Sequence, residues 1–271
     1  MEIELFPKVC EAVKAMEACC GQYGTPIARS EVYNETWLLR MVLSCLHDYK
    51  DYKGDFNASS PIEEREILNR IIDAVRVRWI SEGGLRPTLK NEGTTWTDAI
   101  IGAVGIKDDV DEELDSETKR GIILNREKEN VGVVVIEAKV GSKLSEGTRN
   151  YAGYNQAARN IACLAKLVMH EPEDFIRKCA FVVLGPQNPI KSWKGQSENQ
   201  RIVDAAMGII KRQHDVAQTR YDDNAKFLAT AKMIAGQSTV ISWDEIVQIL
   251  DDSELSRFYT SVLKENGVGN L

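Results

Sequence analysis

The sequence of 271 residues is poor in the residues on which most zinc and nucleophile chemistry depends. It has three scattered histidines, at positions 47, 170 and 214, and none of its six cysteines forms a CxxC pair. Zinc sites and dithiol motifs need such residues at close and regular spacing, and the GxSxG motif of serine hydrolases is also absent. These absences argue against zinc, dithiol and serine-nucleophile enzymes. We expect buried, reduced thiols at Cys10, Cys19, Cys20, Cys45, Cys163 and Cys179.

Long apolar runs are also missing. No stretch approaches the roughly 18 residues that a membrane span requires. The first ten residues, MEIELFPKVC, begin with acidic side chains rather than with a basic segment followed by an apolar one, so they do not resemble a secretory signal. We therefore expect a cytoplasmic protein with no membrane partner.

An excess of positive charge is the third absence. The chain carries 34 basic and 41 acidic residues, which gives a formal net charge of −7. Proteins that coat nucleic acid without specificity are usually basic, so a histone-like role is disfavoured. An enzyme that holds nucleic acid in one local groove is still allowed, because carboxylates gathered around a cation make a chain more acidic.

The first ninety residues have the apolar spacing of helices. We predict helices over residues 8–20 and 31–47, and a third from Ser60 and Pro61 to a stop at Gly83 and Gly84. Ser60 suits a helix N-cap, and Pro61 suits the first helical turn. This part of the chain is expected to form an amino-terminal helical layer.

From residue 95 onward, β-branched runs alternate with helical patterns. The run VGVVVIEAKV (131–140) is apolar on both faces, which indicates a strand in the centre of a sheet. A helix between this strand and the next implies one parallel pair beside an antiparallel meander. Strands are predicted at 98–106, 131–140 and 178–186, and a short edge strand at 238–243. Helices are predicted at 151–170, near 197–213, and at 222–235, 244–251 and 253–265, and a solvated acidic loop at 107–119.

The predicted fold is therefore a single α/β domain with a central mixed sheet flanked by helices. Within residues 1–271 we expect the helical layer at 1–90, the core at 91–245 and carboxy-terminal helices at 246–271.

The tripeptide Glu137-Ala138-Lys139 ends the central strand. Side chains alternate along a strand, so Glu137 and Lys139 are expected on one face and Ala138 on the other. Charges inside an apolar sheet are costly unless they are paired or bind a metal ion. Three other acid-x-Lys tripeptides lie in polar surroundings, so context singles out this one. A structural salt bridge at the strand end is the plainer interpretation.

A second acidic residue, Asp98, begins the strand predicted over 98–106. If that strand lies antiparallel to 131–140, Asp98 approaches Glu137. Two neighbouring carboxylates repel each other unless a divalent cation satisfies both, and oxygen ligands favour Mg²⁺ or Mn²⁺. Asp98 as a simple strand-start residue is the alternative.

The helix after the central strand opens with YNQAARN (154–160). Gln156 and Arg159 lie three residues apart on one helical face, and Lys143 and Arg149 occupy the preceding loop. These side chains are candidates for binding anionic oxygens near the carboxylates; a polar, solvated helix face is the alternative for each. Further basic candidates for positioning a phosphate backbone lie on the third helix, at Arg70, Arg76 and Arg78.

The order of Asp98, a strand ending in IEAKV (136–140) and a helix opening with YNQAARN resembles the PD-(D/E)XK nuclease superfamily, which has the restriction-endonuclease-like fold. The resemblance implies metal-dependent hydrolysis of phosphodiester bonds, usually in DNA, with an endonuclease expected rather than an exonuclease. Thr97 stands where the family name has proline. A homodimer is compatible with cutting both strands.

The resemblance also implies roles for individual residues. Asp98 and Glu137 match the two carboxylates of the sheet, Lys139 matches the lysine, and Gln156 resembles the helix glutamine. The carbonyl of Ala138 would join the two carboxylates in holding Mg²⁺ or Mn²⁺. A further glutamate from an amino-terminal helix is expected, best fitted by Glu35, with Glu31 and Glu64 as rivals.

Two other interpretations stay open from the sequence. One is a domain of the same fold that binds nucleic acid or a protein without cleaving. The other is an unrelated α/β domain in which Glu137 and Lys139 form a structural ion pair. The separation of Asp98 from Glu137 in the folded chain discriminates between them.

Overall fold

A computed structural model describes most of the chain. The described residues are 5–20, 27–48, 62–89, 93–106, 121–128, 130–141, 154–186, 207–211 and 224–268. The acidic stretch 107–119, for which we predicted a loop, lies outside them. No helix among these residues is long and apolar enough to cross a membrane.

A five-stranded mixed sheet organises the fold, and its strands run in the order β1-β2-β5-β6-β7. β1 is antiparallel to β2 and β2 to β5, whereas β5, β6 and β7 are parallel. A small antiparallel pair, β3 and β4, stands apart from it. The strands are β1 (Trp79–Leu85), β2 (Thr95–Gly102), β3 (Val104–Ile106), β4 (Ile122–Leu124), β5 (Val133–Ala138), β6 (Ala180–Gly185) and β7 (Thr239–Ser242).

Helices cover both faces of the large sheet. Those bounded in the described residues are α1 (Phe6–Cys19), α2 (Arg29–Val32), α3 (Glu35–Asp48), α4 (Ile62–Val77), α5 (Gln156–Val168), α6 (Glu173–Ile176), α7 (Asn224–Ala235), α8 (Trp243–Leu250) and α9 (Ser253–Glu265). Residues 207–211 are also helical. The predicted α/β class is confirmed.

The alternation of β5 divides the apolar core into two layers. Val134, Ile136 and Ala138 pack with α1, α3, α4, α8 and α9 on one face, and Val133 and Val135 pack with α5 and α7 on the other. All six residues of β5 are buried, which confirms the central strand. β6 is parallel to β5 and β7 lies at the sheet edge, both as predicted, but there are two parallel pairs rather than one.

The third predicted helix is wrong at its carboxy-terminal end. α4 ends at Val77, and the chain then forms the edge strand β1. Alternation is broken within β1, because Glu82 has a left-handed φ of 57°. Ile80 and Leu85 therefore pack into the same core layer although five residues separate them. A strand whose alternation reverses at one residue has no regular period of two, so its pattern was not visible.

The second predicted helix, 31–47, is interrupted. α2 ends at Val32 and α3 begins at Glu35. Asn34 separates them and its Oδ1 accepts a hydrogen bond from the Trp37 N–H at 3.0 Å, which is a helix-capping contact. Glu31 and Glu35 thus belong to different helices and do not share a face.

The strand predicted from Asp98 begins earlier, at Thr95, and ends at Gly102. Gly102 has a φ of 106°, and a Cβ atom there would stand 2.0 Å from the carbonyl oxygen of Gly132. Only glycine tolerates this conformation beside so close a backbone. The turn it makes divides the predicted strand into β2 and β3. Asp98 lies within β2 rather than at its start.

We predict that Gly102→Ala lowers the free energy of unfolding by about 2–4 kcal/mol, because the substitution adds both backbone strain and a clash. Gly93→Ala is the matched control, since nothing lies within 4 Å of a Cβ at that position, and it should change stability by less than about 0.5 kcal/mol. Urea unfolding of the three proteins measures the difference. Equal stability of the two variants would contradict the close backbone approach at Gly102.

The six cysteines all lie within the described residues, and no disulfide joins any two of them there. Cys10, Cys45, Cys163 and Cys179 are buried, and Cys19 and Cys20 are half-buried. The prediction of burial therefore holds for four of the six.

Candidate functional site

The pairing of β2 with β5 brings Asp98 to Glu137. Ala99 pairs with Ile136 in an antiparallel register, so the preceding residue of β2 lies opposite the following residue of β5. Asp98 Oδ2 accepts a hydrogen bond of 2.7 Å from the backbone N–H of Ala138, and the Asp98 carboxyl group is close enough to Glu137 to raise its pKa. The predicted approach of Asp98 to Glu137 is confirmed, although the cause is the register and not a strand start.

The Glu137 carboxylate is buried, with 1% of the residue exposed. The Lys139 ammonium lies 2.6 Å from Oε1, and the Gln156 amide donates to the same oxygen. Asn160 Nδ2 donates to Oε2 at 3.3 Å. Three side chains therefore replace the water that this carboxylate loses on folding.

Burial raises the pKa of Glu137 well above its ordinary value, and the neighbouring Asp98 raises it further. The charge of Lys139 acts in the opposite direction but does not cancel the rise. Desolvation and a like charge both penalise the ionised form. Additional positive charge, supplied either by a proton or by a cation, would therefore stabilise the two neighbouring carboxyl groups.

The Lys139 ammonium lies among acidic groups. Burial disfavours its charged form, but Glu137, Asp98 and Glu35 together raise the pKa of Lys139 above its ordinary value. The amine therefore stays protonated at neutral pH. Its backbone is held as well, because the Lys139 N–H donates to Leu184 O at 2.8 Å and its carbonyl accepts from the Trp243 indole at 2.9 Å.

Glu35, the first residue of α3, reaches this cluster from the amino-terminal layer. Its carboxylate lies close enough to the backbone N–H of Val140, immediately beyond Lys139, for that group to lower its pKa. Burial raises the pKa of Glu35, Lys139 lowers it and Asp98 raises it, so all three side chains act on one another.

The two rival glutamates do not join the cluster in the described structure. Glu31 is exposed, and its carboxylate accepts a hydrogen bond from the Ala28 N–H at 3.3 Å. The side chain of Glu64 lies outside the described residues. Glu35 is thus the amino-terminal glutamate that the structure places with Lys139 and Asp98.

Asn160 is a site residue that the sequence analysis did not select. It follows Gln156 by four residues on α5, so the two amides share one helical face. Asn155 begins this helix, because its Oδ1 accepts from the Ala158 N–H at 2.9 Å. Asn160 is fully buried, and its Oδ1 has no hydrogen-bond partner among the residues that the structure describes. The spacing of two amides in YNQAARN was the signal that could have identified it.

Arg159, another predicted donor, is directed to the start of β2, where its Nη2 donates to Thr95 Oγ1 at 3.1 Å. Tyr154, a neighbour in the same motif, is buried with its hydroxyl 3.0 Å from Thr88 Oγ1. Lys143 and Arg149 lie outside the described residues.

The prediction that basic side chains of α4 lie near the carboxylates is wrong. These residues, Arg70, Arg76 and Arg78, lie at the opposite end of the sheet. Arg70 Nη1 donates to Arg177 O and to Gln237 Oε1, and both acceptors precede the amino-terminal ends of parallel strands. The carbonyl of Arg78 accepts from Gly102 N, where β2 ends. The direction of α4 explains the error, because its carboxy-terminal half leads away from Glu137.

The donor set of the site suits a hard cation. Asp98 and Glu137 offer carboxylate oxygens and Ala138 a backbone carbonyl, which are the ligand types that Mg²⁺ takes in proteins. Among the described residues, however, no group of three or more His, Cys, Asp or Glu side chains is arranged to hold a metal ion. Two side-chain carboxylates at most would therefore hold such an ion here, with the carbonyl and water supplying the remaining oxygens.

Comparison with known proteins finds no matching family model, no matching curated protein and no matching solved structure. The case for a function therefore depends on the residues of this chain.

We predict a stability that falls with pH in metal-free buffer. A carboxyl group whose folded pKa is raised stabilises the fold most below its unfolded pKa, and that contribution declines as the pH rises through the folded pKa. The free energy of unfolding should thus decline between about pH 5 and about pH 8 because Glu137 must ionise in the folded state. Asp98→Asn removes the neighbouring like charge, and its decline should be smaller.

Urea unfolding at several pH values measures these declines. Asp174→Asn, at an exposed position on α6, is the control and should follow the wild type. A decline in Asp98→Asn as large as that in the wild type would show that the two carboxyl groups do not interact.

Proposed function

We propose that the protein is a divalent-metal-dependent nuclease that hydrolyses phosphodiester bonds in DNA. The observation that carries the proposal is the convergence of Asp98, Glu137 and Lys139 at one end of the sheet, with the Lys139 ammonium 2.6 Å from the buried Glu137 carboxylate. Two carboxylates and one amine in this arrangement provide a place for a cation and a positive group for a phosphate.

Each residue of the site would have its own role. The ion would be held by Asp98, Glu137 and the carbonyl of Ala138, and Glu35 would lie next to these ligands, outside the groups that bind the ion. Gln156 and Asn160 keep the Glu137 carboxylate in one orientation through their hydrogen bonds. When bound, Mg²⁺ would supply positive charge against the scissile phosphate and would make a nearby water more acidic.

Lys139 would contact the same phosphate and orient the attacking water. A protonated amine would neutralise charge on the phosphate, and the proton of the attacking water would leave to solvent.

The strand arrangement supports membership in the PD-(D/E)XK superfamily as part of the proposal. β2 carries one carboxylate, β5 carries the other and is followed directly by the lysine, and α5 returns two amides to the Glu137 carboxylate. This order is the one on which the sequence resemblance depends. A domain that binds nucleic acid or protein without cleaving is the competing proposal, favoured by the complete pairing of Glu137 with Lys139, Gln156 and Asn160.

We expect the purified wild type to nick supercoiled plasmid in Mg²⁺ or Mn²⁺ and to be inactive in EDTA. Glu137→Ala and Lys139→Ala should each lower the nicking rate by about 10³-fold, because each removes a group that acts on the reacting phosphate. Glu173→Ala and Lys232→Ala, at exposed positions, are the matched controls and should nick at the wild-type rate. Circular dichroism verifies that all variants fold.

Nicking by Glu137→Ala or Lys139→Ala at the wild-type rate would contradict the assignment. A wild type that binds plasmid in Mg²⁺ and Mn²⁺ without nicking it would favour the binding domain over the nuclease.

We also expect divalent cations to raise the Tm of the wild type, and to do so more at about pH 8 than at about pH 6. The raised pKa of Glu137 makes protons compete with the cation at the lower pH. A cation at about 100 times its Kd stabilises by about 2.7 kcal/mol, which corresponds to several degrees of Tm for a chain of this size.

Differential scanning fluorimetry with MgCl2, MnCl2 or CaCl2 measures this shift independently of any cleavage. Asp98→Asn should lose most of it, whereas Asp174→Asn should retain it. An equal shift in the two variants would place the cation elsewhere.

A further inference from the structure

β2 presents an indole to solvent. Trp96 is 62% exposed, more than the other exposed large apolar side chains among the described residues, Ile106 and Ile123. Trp243 is fully buried, and Trp37 and Trp79 are half-buried. An indole held in the open is costly in water, and such side chains are typical of surfaces that bind a flat partner.

The backbone of β1 supports this indole. Trp96 pairs with Gly84 in the antiparallel register. A Cβ atom at Gly84 would stand 3.4 Å from Trp96 Cζ3 and 3.6 Å from Cη2, which are ordinary van der Waals distances. The six-membered ring therefore lies against the backbone of β1, while 62% of the residue stays exposed.

The indole is close to the candidate site. Trp96 precedes Asp98 by two residues on β2, about 6.5 Å along an extended strand. Arg86 is exposed and directly follows Leu85, the partner of Thr95, so it places a positive charge beside the start of β2 that is complementary to a phosphate backbone. The Arg159 guanidinium donates to Thr95 at 3.1 Å and lies on the opposite face from the indole, because successive side chains of a strand alternate.

We propose that Trp96 is a stacking platform for a base of single-stranded DNA whose backbone passes the carboxylate site. The inference rests on the proposed nuclease function and specifies its substrate class. Within a continuous duplex the base faces are covered by their neighbours, so a surface indole can stack only on an unpaired base. The preferred substrate is thus single-stranded DNA, or a single-stranded segment of a longer DNA, rather than an intact duplex.

Fluorescence anisotropy with a labelled oligothymidylate, in EDTA so that no cleavage occurs, tests this inference. Trp96→Ala should weaken binding by about tenfold, the order expected for losing one stacked base. Trp96→Phe should keep most of the affinity, because it retains an aromatic face. Ile123→Ala, which removes another exposed apolar side chain, is the control and should bind as the wild type does.

A second probe separates stacking from charge. An oligomer of the same length made of abasic sugar phosphates retains the backbone charge but has no bases. The abasic oligomer should bind the wild type and Trp96→Ala with the same affinity. That affinity should equal the affinity of oligothymidylate for Trp96→Ala. The inference would be overturned if the wild type and Trp96→Ala bind oligothymidylate equally. It would also be overturned if Trp96→Ala loses as much affinity for the abasic oligomer as for oligothymidylate, or if the wild type does not bind oligothymidylate at all.

The outcomes also separate this inference from the function on which it rests. Metal-dependent nicking that requires Glu137, together with oligothymidylate binding indifferent to Trp96, would overturn the stacking role and leave the nuclease. Binding that depends on Trp96 in a protein that nicks nothing would overturn the nuclease and leave the stacking role.

Discussion

The buried carboxylate of Glu137 is the group on which the arrangement of the site depends. A charge taken out of water must be compensated by nearby donors or opposite charge. Lys139 supplies the charge from the same strand, and Gln156 and Asn160 supply amides from α5. The crossover helix is thereby tied to the strand that precedes it, so the position of α5 and the orientation of the carboxylate determine each other.

The topology of the sheet explains why the Glu137 carboxyl group lies at one end of the strands and not in the middle of the core. β5 is parallel to β6 and antiparallel to β2, so the carboxyl end of β5 meets the amino-terminal half of β2. In open α/β sheets, the carboxyl ends of parallel strands are where ligands bind. The same end of the strands receives the amino terminus of α3, which brings Glu35 close enough to Lys139 and Asp98 for each of them to shift its pKa. The acidic residues come from three elements that are distant in sequence, and the register of one antiparallel pair is what assembles two of them.

Backbone irregularities in β1 and β2 shape the surroundings of the site. The left-handed Glu82 of β1 lies between Ser81 and Gly83, whose partners on β2 are Ala99 and Thr97. It is therefore level with Asp98. Reversal of the alternation at this point turns Leu85 into the core. Gly84, the next residue, pairs with Trp96, and the indole lies against the backbone of β1 at this position.

Local patterns in the sequence were sufficient for the elements that have a regular period. The run 131–140 is β-branched throughout and became the central strand, and the amphipathic segments 244–251 and 253–265 became helices. The charged tripeptide at the end of β5 identified Glu137 and Lys139, because an acid and an amine beside such a run are improbable without a partner. The edge strand β1 was missed, because its alternation reverses and its glycines carry no apolar signal.

The remaining site residues were decided only by tertiary structure. The register of β2 against β5 placed Asp98 beside Glu137, whereas the sequence offered only its order along the chain. The break at Asn34 separated Glu31 from Glu35, and packing of α3 selected the second of them. Asn160 could be recognised only once the helix phase of α5 was known relative to the sheet. Sequence determines which segments are strands and helices through short-range sterics and burial, but the distance between two acids forty residues apart is a property of how those segments pair.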